Sequence, residues 1–224
     1  MNNRYFQLSD KEKKIFQVKL LAGSLITILS IGIVLFLISP KLTFLIIPIL
    51  SVLISIIAPF FDVPSLIENE KLKYYSLFLL AERERDKTIK IHGGTLFDYY
   101  FVFQEHMPKQ QRTEIVLLEY LKGLRNLIEN TSEDVKIQGT SYIINERTAN
   151  KLGLNKIATD GLQSLILIYN YINVALSISL LKKSIVFPNL NKIQTFEGKI
   201  LDIKQRERFI NHLIEKLEKT ITNG

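Results

Sequence analysis

The chain has no cysteine and no tryptophan, and only three histidines and two methionines among its 224 residues. Without cysteine there is no disulfide framework, no thiolate-held zinc or iron–sulfur centre and no cysteine nucleophile. An all-histidine metal site would need every histidine present. No Walker or dinucleotide glycine pattern occurs, nor G-x-S-x-G, nor H-E-x-x-H, so no motif announces nucleotide binding, serine hydrolysis or zinc proteolysis. Internal repeats and low-complexity tracts are missing too. With 47% hydrophobic and 23% charged residues, the composition is not that of a disordered chain.

What the sequence does have is two long uncharged runs, residues 20–39 and 42–61. At about 1.5 Å per residue each reaches across the roughly 30 Å hydrocarbon core of a bilayer. Only Pro40 and Lys41 separate them, which predicts a tight transmembrane hairpin. Pro48 removes a backbone donor inside the second run and predicts a kink. Gly23, Thr27 and Ser30 share one face of the first helix, and Ser51, Ser55 and Ala58 one face of the second. Small residues at this spacing permit close helix contact in lipid. The first run is too long for a cleaved signal peptide, and no A-x-A site follows it.

The net charge is +7, and residues 1–61 hold six basic and two acidic residues, so over half of the excess lies near the membrane. Arg4, Lys11, Lys13, Lys14 and Lys19 precede the first run, whereas the turn has only Lys41. The positive-inside rule then puts both termini in the cytoplasm of a multi-pass inner (cytoplasmic) membrane protein, and the basic flank suits anionic lipid heads. The remainder has no dense basic stripe, so nucleic acid is not an expected partner. The Ile-, Lys- and Asn-rich composition suggests a bacterial-type membrane.

The expected domain map is a basic N-terminus over 1–19, the hairpin over 20–61 and a cytoplasmic mixed α/β domain over 62–224. The fold class is thus a membrane-anchored α+β protein. Within the domain, periodicity predicts a helix over 66–86, a strand over 88–91 and a His92-Gly93-Gly94 turn. The aromatic run 96–103 predicts a second strand, and 107–112 a loop. Thr113 is the expected cap of a helix over 113–130, with Ile115, Leu118, Leu121, Leu124 and Ile128 inward. A strand follows over 135–144, broken at Gly139, then a short helix over 146–152 that Gly153 terminates in the left-handed conformation. Residues 159–181 are apolar on all faces but contain Gln163, Asn170 and Asn173. They read as a buried or membrane-surface helix, with a third span as the alternative. Strands are expected over 184–187 and 192–200. The last helix, 202–221, carries an Ile203, Ile210, Ile214, Leu217, Ile221 stripe that packs on its own domain or faces a partner or lipid.

Candidate chemistry is densest at residues 90–101. His92 and Asp98 make a possible base and orienting acid, and Gly93 and Gly94 can bring backbone N–H groups to an anion. The bland alternative is a strand-edge turn with a solvated histidine. Glu105 is a further candidate base. His92, His106, Asp98 and Glu105 lie close in sequence but lack metal-binding helical spacing, so no metal is expected.

From residue 95 the order of elements resembles the second half of GNAT-type acetyltransferases: strand, loop MPKQQR, long helix, strand ending before Asn145, then a helix ending Lys151-Leu152-Gly153-Leu154 after Ala149. The resemblance implies that Gln110, Gln111 and Arg112 stand where that family's loop holds the pyrophosphate of CoA, with Asn145 also in the cofactor site. The family's loop has the form Q/R-x-x-G-x-G/A, and this one has no glycine. Two functions follow as expectations. The first is a non-catalytic subunit or scaffold of a membrane assembly, with no cofactor and with the bilayer and a protein partner or second copy as its contacts. The alternative is a membrane-tethered acyltransferase using acyl-CoA. A hydrolase built on His92 and Asp98 ranks below both, for want of a nucleophile.

Overall fold

A computed structural model describes residues 3–141, 144–190 and 193–223. After a short 3₁₀ turn at Arg4–Gln7, helix α1 runs from Asp10 to Ile38. Ser9 and Glu12 start it with a reciprocal capping box. A 3₁₀ segment, Pro40–Leu45, leads into α2 (Ile46–Ile57). α1 and the Pro40–Ile57 stretch are each long and apolar enough to cross a membrane. Pro48 falls in the first turn of α2, where a missing N–H costs nothing. The expected second run is therefore segmented, since α3 (Pro59–Glu68) opens at a further proline. Close approach of the pair occurs at Gly32, against Ile46, and not at Gly23, which has open space around it.

The 66–86 helix is corrected to a β-hairpin. After α3 come β1 (Leu72–Ser76) and β2 (Leu79–Glu82), then β3 (Thr88–Gly93). Asp86 and Lys87 both take left-handed backbone in the β2–β3 turn, the conformation a tight hairpin demands. Leu79, Leu80 and Ala81 are all buried, so β2 shows no alternation, and its unbroken apolar run imitated a helix. His92 and Gly93 belong to β3 rather than to a turn.

The aromatic strand 96–103 is corrected to helix α4 (Leu96–Val102). Thr95 and Asp98 decide it. The Thr95 backbone N–H and hydroxyl both donate to the Asp98 carboxylate, at 2.7 and 3.0 Å, a capping box that overrides the strand preference of the aromatics. α5 (Lys109–Glu129) starts one turn earlier than expected, behind Pro108, so Gln110, Gln111 and Arg112 are helical rather than in a loop. Its five predicted inward residues are all buried.

β4 (Lys136–Ser141), α6 (Glu146–Lys151) and β5 (Asn155–Ile157) follow. The end of the expected 135–144 strand at Tyr142 and Ile143 lies outside the described residues, as does the start of the 192–200 strand. α7 (Gly161–Tyr169) and α8 (Tyr171–Lys182) replace the single helix over 159–181. Residues 184–187 form no strand. β6 (Gln194–Lys199) completes the sheet. The final helix is split into α9 (Ile200–Lys204) and α10 (Glu207–Asn223).

The strand order is β1-β2-β3-β4-β6-β5, antiparallel except for the β3–β4 pair. Gly139 does not break β4. It pairs with Ile91 on one side and Phe196 on the other, and a Cβ there would stand 2.6 Å from Ile91 Cγ1. Ile89, Ile137 and Phe196 form one face with α5 and α10 over it, including Ile210 and Ile214. The final stripe thus packs on its own domain. The other face has two halves. Near β2, Leu80 is covered by Phe60, Phe97 and Tyr5 from α3, α4 and the N-terminal segment. From β3 to β6 the row Lys90, Gln138, Glu197 lies open or half-buried.

Candidate functional site

The structure separates the residues grouped by sequence. His92 lies on the open half of the sheet, its Nε2 2.8 Å from Glu82 Oε1. That contact holds the Glu82 carboxyl below its ordinary range. Asp98 is fully buried at the start of α4. Besides Thr95, it accepts from the Tyr74 hydroxyl and, at 3.4 Å, from Asn3 Nδ2. Burial raises its carboxyl to about 6, with the Tyr74 and Thr95 donors opposing. The same burial and the neighbouring carboxylate push the Tyr74 phenol well above its usual value. His92 and Asp98 thus have different partners and different roles.

Arg112 is buried with no acidic partner among the described residues, and its guanidinium is spent on backbone carbonyls. It donates to Met107 O at 3.1 Å, Gln104 O at 2.7 Å and Leu180 O. It also lies over the Phe103 ring. These bonds tie the α4–α5 loop to the C-terminal end of α8, and they occupy the donors that a phosphate would use. Gln110 reaches Glu114 at 2.9 Å on the exposed side of α5, and Gln111 sits half-buried beside it. Glu105 is exposed, and its carbonyl accepts from Lys183 Nζ at 2.9 Å. Asn145 caps α6 by accepting from the Thr148 N–H at 2.9 Å. Gly153 ends α6 with φ of +82°, as expected.

Sequence reasoning missed the N-terminal segment. Arg4 donates to the carbonyls of Tyr100, Phe101 and Phe103, at 2.8, 2.8 and 3.0 Å. It satisfies the last turn of α4 as Asp98 satisfies the first. Asn3 and Arg4 therefore grip both ends of one buried helix, and the residues before α1 lie at the same end of the helix pair as the domain after α3. No local signal announces this, since the partners stand nearly a hundred residues away.

A small cavity of about 60 Å³ lies between the sheet and α5. Ile91, Tyr120, Ile137, Ile144 and Phe196 line it, and such an apolar space fits no charged cofactor. On the opposite face, the Thr140, Thr195 and Thr159 hydroxyls form a chain with contacts of 3.0 and 2.9 Å. Gln163 of α7 donates to Thr140 at 3.1 Å. Among the described residues no group of three His, Asp or Glu side chains is placed to hold a metal. Compared with known protein families, curated proteins and solved structures, the chain matches none.

Proposed function

We propose that the protein is a non-catalytic subunit or scaffold of a membrane assembly, a rigid mount that fixes its α/β domain against the membrane. The observation that carries this reading is the use of its buried charges. Asp98 and Arg112 are fasteners, and with Arg4 they tie the N-terminal segment, α4 and α8 into one body. The domain faces the cytoplasm from an inner membrane, with both termini on that side, as supported by the basic flank of α1. Its partners are the bilayer and a protein, either a different subunit or a second copy.

The test is cross-linking in cells, followed by purification in mild detergent. A stoichiometric partner or a homo-oligomer is expected. Recovery of monomer alone, with no cross-linked species, overturns the proposal. The acyl-CoA alternative retains one supporting feature, the start of α5, which has no side-chain cap and so offers free N–H groups to an anion. Acetyl-CoA at about 100 times its dissociation constant would add roughly 2.7 kcal/mol to the stability of the full chain. A melting temperature unmoved by millimolar acetyl-CoA removes that alternative.

A further inference from the structure

α7 and α8 are together long and apolar enough for one span, but they are not straight. Their axes bend by 63° at the break. α7 exposes Leu165, Ile166, Ile168 and Tyr169, with Leu165 64% exposed. Just beyond α8, Ile185 and Phe187 are 85% and 69% exposed. Large apolar side chains this exposed along one short helix are costly in water and mark a surface that something covers.

The break leans on α2. The Ser55 hydroxyl donates to the Tyr169 carbonyl at 3.3 Å. Asn173 Nδ2 donates to the Ser55 carbonyl and, at 3.1 Å, to its hydroxyl. Asn170 Nδ2 turns back to the Ile166 carbonyl at 3.0 Å. At the break itself the Tyr169 carbonyl is met by the Ser55 side chain, and Asn173 in turn serves the Ser55 carbonyl, to which Pro59 offers no N–H. Ser55 lies in the last turn of α2, two residues before the end of the apolar Pro40–Ile57 stretch. The α7–α8 corner therefore sits at the depth of that turn.

Both ends of the pair return to the domain. Gln163 near the start of α7 holds Thr140 of β4. Leu180 near the end of α8 is held by Arg112, and Lys183 by Glu105. α7 has nine residues, about 13 Å of helix, well short of a roughly 30 Å core.

We infer that α7 and α8 form a re-entrant element that enters the domain-side leaflet and leaves on the same side, so that lipid is the occupant of the exposed α7 face. The argument for lipid is continuity, because Ser55 joins this face to a helix whose own outer surface is apolar and exposed. The inference rests on α1 and α2 crossing the bilayer, and does not depend on the identity of any protein partner.

The cysteine-free chain allows a direct test with single cysteines in the full-length protein, in vesicles of phosphatidylcholine and phosphatidylglycerol. Leu165→Cys and Ile168→Cys report on α7, Leu29→Cys on α1, and Lys151→Cys on the aqueous surface. Each is labelled with a small fluorophore and compared with the parent chain by melting temperature, so that only folded variants are read. Phospholipids brominated on their acyl chains should quench 165, 168 and 29, and leave 151 bright. A bulky water-soluble maleimide should reach 151 and fail at 165 and 168. Ala158→Cys and Ser184→Cys should react from the same side of the vesicle. Free labelling of 165 and 168 from water overturns the inference, as does protection without bromine quenching, which means that protein covers the face. Reaction of 158 and 184 from opposite sides makes the segment a span and also overturns it. Loss of quenching at 29 is distinct, and strikes the spanning helices themselves.

Discussion

At the residue scale, the most telling groups are ionisable side chains used as fasteners. Asp98 has a folded-state value of about 6 against an ordinary 3.8. Between those two pH values the folded chain keeps a proton that the unfolded chain has lost. Stability from this group is fully present below 3.8 and falls as the pH rises through about 6. The melting temperature of the parent should therefore gain on that of Asp98→Asn as the pH is lowered from 7 to 4, when both are measured in detergent. A gap independent of pH would contradict the assignment. Arg4→Ala removes a cation that serves three carbonyls at the end of α4. It should cost about 1.5–3 kcal/mol, and make the chain before Ser9 cleavable by protease while the rest remains folded. The pairing of Thr95 with Asp98 was written in the sequence as a T-x-x-D signature, whereas Asn3, Arg4 and Tyr74 as its neighbours were not.

At the scale of elements, periodicity located helices with one apolar stripe and failed where burial is two-sided. α5 and α10 are of the first kind. Ile210 is fully buried under the sheet, so Ile210→Ala should lower unfolding free energy by about 2–4 kcal/mol in a denaturant titration. A helix turned towards a partner or lipid would lose far less. β2 and α4 are of the second kind, covered on more than one side, so their residues carried no period to read. Gly153 joins α6 to β5 with left-handed backbone, and a Cβ would come within 2.8 Å of the Asp202 carbonyl of α9. Gly153→Ala should therefore cost at least about 1 kcal/mol, visible as a lower melting temperature.

At the scale of the whole molecule, the hairpin and the domain act as one body because the N-terminal segment folds back onto α4. Tags at the two ends of the chain should therefore be digested together or protected together in vesicles of either orientation. One tag cut while the other survives in sealed, uniformly oriented vesicles would separate the ends and break this arrangement. The same fold-back explains the aromatic cluster of Tyr5, Phe16, Phe60, Phe97 and Phe101, whose rings meet edge to face or tilted at 5.0 to 6.4 Å. Such contacts add to simple burial, and they join four separate stretches of chain at the foot of the helix pair.

The sequence by itself determined the two apolar helices, the inward stripe of α5 and the stop at Gly153. Each of these is a local matter of length, period or backbone preference within a few turns. Only the tertiary structure decided that Asn3 and Arg4 clamp the two ends of α4, that Arg112 reaches the Leu180 carbonyl, and that residues 161–182 bend against Ser55. Those outcomes depend on hydrogen-bond partners 68 to 118 residues apart. A buried polar group takes whichever partner the fold brings to it, and that partner cannot be read from its neighbours in the chain.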